Sequence, residues 1–152
     1  MGEWKFEWKR FQKHNKYTDE EMETFMNDPR RAKAAPILFS PAILKKNLII
    51  EVVKSHGCSA GLKPGDKLVF RALGILDPQK SSPWCAQAMG EFGGIANMLQ
   101  DRFVAGLDPE ECIWRYFSCM DCGPEYGWGQ VVMQAYVEDA ESWAKDSAGN
   151  SA

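Results

Sequence analysis

The sequence predicts an α+β fold: a small antiparallel sheet, one long covering helix and a helical N-terminal appendage. Three observations carry that expectation. A β-branched run, Leu48-Ile49-Ile50-Glu51-Val52-Val53, and an alternating one, Val131, Met133, Ala135 and Val137, mark strands far apart in the chain. Between them, Ser82-Pro83 opens a stretch whose apolar residues mostly follow one helical face. Before residue 47 the chain carries helix caps but little apolar density, which separates an appendage (1–46) from a cysteine-rich α+β domain (47–140) and a polar tail (141–152).

Composition narrows the function. At 152 residues, with 45% apolar and 26% charged side chains, the chain is of ordinary globular type. A length of this order buries about two-thirds of the unfolded surface. A net charge of −3 and a pI near 5.4 leave no electrostatic footprint for nucleic acid. The start, Met1-Gly2-Glu3-Trp4-Lys5, is charged where a signal peptide would be apolar, and no stretch approaches the ~20 apolar residues of a membrane span. A cytoplasmic protein without a membrane partner is expected. There, the five cysteines are expected as free thiols or metal ligands rather than disulfides.

The elements follow in order. Residues 3–14 space Trp4, Trp8 and Phe11 by four and three, with Lys5, Lys9, Arg10 and Lys13 elsewhere around the turn. That is an amphipathic helix with an aromatic stripe, packed on the protein's own core or docked on a larger partner subunit. Thr18 with Glu21 forms a capping box for a helix through Asn27, and Asp28-Pro29 ends it. Arg30, Arg31 and Lys33 read as a solvated basic run. Ser40-Pro41 starts a turn or two through Lys46.

Strands are expected at Leu48–Val53 and Lys67–Ala72, joined by a glycine-rich loop, His56 to Asp66, that closes on Pro64-Gly65. Residues 77–82 form a linker. The long helix covers 83–104, although Gly90, Gly93 and Gly94 each cost about 1 kcal/mol there and predict a break. A single turn at Asp108-Pro109-Glu110-Glu111 precedes a hairpin, Cys112–Ser118 with Gln130–Glu138. A short polar helix after Ala140 frays into the terminal residues.

The chemistry centres on Cys119-Met120-Asp121-Cys122-Gly123. Two thiols three apart, followed by a glycine able to turn backbone N–H groups toward them, are half of a metal site. Zinc favours thiolate and imidazole, so Cys58, on the glycine-rich loop, and Cys85, at a helix start, complete a Cys₄ set with His56 as substitute. Cys112 lies an odd seven residues before Cys119 on one strand, hence on the other face. An iron–sulfur cluster, a redox dithiol and metal-free thiols are the alternatives. A stand-alone enzyme would use Cys58 or Cys85 as thiolate with His56 as base and Asp66 orienting it. The plainer reading of His56 is a loop histidine in local hydrogen bonds.

Residues 48–138 resemble a family of short, functionally unassigned bacterial and archaeal proteins. The resemblance is carried by Cys58 with Gly65-Asp66, Cys85 with Gly93-Gly94, and Cys119 ahead of the Val131–Val137 strand. It implies that Cys58, Cys85 and Cys119 share one site. The N-terminal appendage and Cys122 depart from the pattern. Together with six tryptophans, aromatic anchors of the kind enriched at interfaces, the appendage leads to a small accessory subunit of a larger enzyme complex, contacting it through Trp4, Trp8 and Phe11.

Overall fold

The computed structural model describes residues 4–140, so the expected helix after Ala140 and its fraying tail lie outside the described residues. The chain divides after Ile43 into two compact units.

The first unit holds α1 (Trp8–Asn15), α2 (Asp19–Met26) and α3 (Pro29–Leu38), and α4 (Pro41–Leu44) runs to the division. The α1 helix starts at Trp8, not residue 3, and ends on Lys16, whose left-handed backbone returns its N–H to Gln12 and Lys13 carbonyls. Thr18 and Glu21 cap α2 reciprocally. The α3 helix was not expected. Asp28 both follows α2 and caps α3 by accepting the Arg30 N–H, with Pro29 in the first turn, where its missing donor costs nothing. The core is aromatic: Phe11, 6% exposed, has the rings of Phe25, Phe39 and Tyr17 within 5.1–5.9 Å.

In the second unit, β1 (Lys46–His56) is the central strand of a five-stranded antiparallel sheet ordered β3-β2-β1-β5-β4. Its flanks are β2 (Lys67–Arg71) and β5 (Gln130–Asp139), and the edges are β3 (Ile75–Leu76) and β4 (Tyr116–Ser118). Burial from Asn47 through Ile50 on both faces of β1 explains its unbroken apolar run. Leu48 and Ile50 lie opposite Phe70 and Leu68 on β2 and opposite Val137 and Ala135 on β5. The register shifts between Val52 and Lys54. That bulge reverses the parity of the strand, so Ser55 opposes buried Val131 while His56, opposite Gln130, is exposed.

The covering helix is α5 (Phe92–Val104), shorter than the predicted 83–104. The segment before it keeps only a 3₁₀ turn, Ala86–Ala88, and the break falls at Gly90, whereas Gly93 and Gly94 lie inside the first turn of the α-helix despite their backbone cost. Phe92, Ile95 and Leu99 form its buried stripe, and Phe92 meets Phe70 of β2 and Phe117 of β4 at ring distances of 5.9 and 6.0 Å. The expected strand Cys112–Ser118 contracts to β4, because the 3₁₀ turn Pro109–Glu111 is tied across to β5: Glu110 pairs with Arg115 and accepts the Val137 N–H.

Candidate functional site

Three loops of the second unit converge at one end of the sheet. The first leaves β1 through Gly57 and runs to Asp66. It is closed by its own hydrogen bonds: the Val52 N–H donates to the Asp66 carbonyl and the Gly65 N–H to the Val52 carbonyl, both at 2.9 Å, and Ser55 Oγ donates to the Leu62 carbonyl at 2.6 Å. The Asp66 carboxylate accepts the Lys63 N–H at 3.0 Å, so it stabilises this turn rather than orienting His56. Cys58 sits just past Gly57, and its carbonyl accepts the Gly61 N–H.

The second loop carries Cys85 at the cap of the Ala86–Ala88 turn. Three residues of 3₁₀ helix align too few peptide dipoles to act on Cys85 as the expected long helix would. Ser82 pins the loop to β2, its N–H donating to the Lys67 carbonyl and its Oγ accepting the Lys67 N–H.

The third loop, Cys119 to Gly129, is organised by Asp121 rather than by the two thiols. One carboxylate oxygen accepts the N–H groups of Gly123 (3.2 Å) and Trp128 (3.0 Å), and the other accepts that of Gly129 (3.1 Å). These backbone donors, Trp128 foremost, hold the Asp121 carboxyl below the usual carboxylate range. Gly123 does take a positive φ of 82°, but its N–H faces this carboxylate and not the sulfurs. A side chain at Gly127 would run into the same carboxylate.

Two contacts bring the loops together. Gly57 and Gly129 approach backbone to backbone so closely that a Cβ on Gly129 would overlap the Gly57 carbonyl group. The Met120 N–H donates to the Gln87 carbonyl at 3.3 Å. The result is a cavity of about 20 Å³, room for about one water. Cys58, Cys85 and Cys119 line it, with Asp121, Gln87 and Gln130. Cys119 is held at both ends, its N–H on the Val131 carbonyl (3.0 Å) and its sulfur accepting the Val131 N–H (3.3 Å).

The remaining candidates lie elsewhere. Cys122 is exposed, its sulfur 3.8 Å from the Met120 carbonyl oxygen, and it does not line the cavity. His56 is turned to solvent by the bulge in β1, and Cys112 packs its sulfur 3.5 Å from that of Met98. All five cysteines are free thiols. Among the described residues, no three His, Cys, Asp or Glu side chains converge on one point at ligand distance. Cys58, Cys85 and Cys119 share the cavity lining without meeting at ligand distance. Asp121, the organiser of the third loop, was missed in the sequence. Its signal is an acidic residue followed two places on by Gly123 and later by Gly127-Trp128-Gly129.

Comparison with protein-family models, curated proteins and solved structures found no match to this chain. Among the described residues, no helix is long and apolar enough to cross a membrane.

Proposed function

We propose that the second unit holds a zinc ion on the thiols of Cys58, Cys85 and Cys119, and that the protein works as a small accessory subunit of a larger cytoplasmic enzyme complex. One observation carries the metal reading: three cysteines from three separate loops line one cavity. Thiolate is the ligand type that suits zinc, and the Cys119 sulfur is fixed at the cavity wall by the Val131 N–H. The accessory reading is supported by Ile113, Trp114, Tyr126 and Trp128, each at least 75% exposed. Phe11, by contrast, is buried among the rings of its own unit, which leaves Trp4, 44% exposed, as the open aromatic of the N-terminal stripe.

Elemental analysis and a visible spectrum of anaerobically purified protein test the metal reading. About one zinc per chain without colour is expected. Iron with brown absorbance would replace the ion by a cluster, and protein that neither retains nor takes up zinc would refute the proposal. For the accessory role, a partner co-purifying with wild-type protein should be lost with Trp114→Glu or Trp128→Glu; undiminished recovery would overturn this surface as the contact.

A further inference from the structure

At the other end of β1 from the cysteine loops, the second unit holds a larger cavity of about 330 Å³, a volume within the range of small-molecule sites. Its walls are Asn47, Val69, Lys80, Glu138 and Asp139. We propose that it binds a small zwitterion of the α-amino acid class, with the ammonium group between Asn47 and Glu138 and the carboxylate at Lys80. No cysteine lines this cavity, so the inference does not depend on the zinc reading.

The amide of Asn47 carries the argument. Asn47 is 4% exposed, on the central strand, and its Oδ1 accepts no hydrogen bond. A buried acceptor without a donor is a standing cost to the fold until something supplies one. The register explains why its neighbour does not. Asn47 lies directly opposite Glu138 of β5, which sets the two side chains next to each other on one face of the sheet. An amide oxygen and a carboxylate are both acceptors, and neither satisfies the other. A positively charged group with several N–H donors bonds both, and an ammonium has that chemistry.

Charge sets the rest of the ligand. Asp139 is already paired with Lys46 at 2.6 Å, which leaves Glu138 as the uncompensated carboxylate of the wall. Lys80 stands on a loop tied along β2: the Asp77 N–H donates to the Val69 carbonyl at 2.8 Å, and Ser81 Oγ accepts the Val69 N–H at 3.0 Å. Among the described residues, neither Glu138 nor Lys80 makes an ion pair. Lys80 disfavours a simple amine and Glu138 a simple acid, whereas a ligand bearing both charges complements both. Val69 gives its carbon skeleton an apolar wall.

The test is the melting temperature of the full-length protein with each of the common L-α-amino acids at millimolar concentration, followed by calorimetric titration of the most stabilising one. At least one should raise the melting temperature. Its decarboxylated amine and its deaminated acid should each bind about tenfold more weakly or worse, the effect of losing a charged hydrogen-bond partner. Glu138→Gln and Lys80→Met, at exposed positions, should leave the free protein as stable as wild type and weaken binding to the same degree. Asn47→Leu should also weaken binding, while the free protein melts no lower, because the substitution removes an unpaired acceptor. If no amino acid stabilises the protein, if the amine or the acid binds as tightly as the parent, or if these variants bind normally, the inference falls. A lower melting temperature for free Asn47→Leu would mean that the amide serves the fold, and would overturn it as well.

Discussion

Asp121 shows what a single side chain does here. Its carboxylate gathers three backbone N–H groups of one tight loop, of which that of Gly123 also reaches the Gly129 carbonyl. In Asp121→Asn the amide nitrogen would oppose one of those donors, so a lower melting temperature at pH 7 is expected; an unchanged one would show the loop to be held by other bonds. Sign follows from the pKa direction. Asp121 ionises more readily folded than unfolded, so its contribution is full above about pH 4 and is lost as pH falls through the folded value. Asp28 behaves alike: hydrogen bonds from the Arg30 side chain and backbone hold it at about 2. Melting temperature followed from pH 6 to pH 2 should therefore decline below pH 4, and decline less in Asp121→Asn. The sequence drew attention to Cys119 and Cys122 because their spacing is a recognised pattern, whereas the residue between them acts through loop backbone that no spacing reveals.

Among the elements, β1 and α5 depend on different kinds of information. The buried run of β1 was legible because both faces are apolar, but its bulge was not, since the shift exists only relative to β5. The α3 helix was legible and misread: Asp28-Pro29 serves as a stop for one helix and a start for the next. For α5, the anchor is Phe92, ringed by Phe70, Trp84 and Phe117. Phe92→Ala should cost about 3–5 kcal/mol in a urea melt; a loss under about 1 kcal/mol would mean that α5 is held mainly through Ile95 and Leu99. Where the loops meet, Gly129→Ala forces a methyl group into the Gly57 backbone. A cost of roughly 1–3 kcal/mol is expected, together with weaker zinc retention, because the same contact aligns the loop of Cys58 with that of Cys119. Destabilisation with full zinc retention would separate the contact from the site.

At the scale of the whole molecule, every residue named around the cavity belongs to the unit that starts at Leu44. A chain beginning at Leu44 should therefore keep the zinc content of the full protein, measured by elemental analysis after gel filtration; a folded but zinc-free fragment would show that the first unit is needed. The fold class was legible because it rests on local periodicity. The meeting of the three loops was not, because it depends on β1 pairing with β5 across most of the second unit. That pairing also orders events in time. A central strand whose neighbour is synthesised last makes the chain rich in distant contacts and slow to fold. During synthesis, Cys58, Cys85 and Cys119 leave the ribosome one after another, each as an unsheltered thiol, and the chamber that gathers them exists only once β5 has closed against β1.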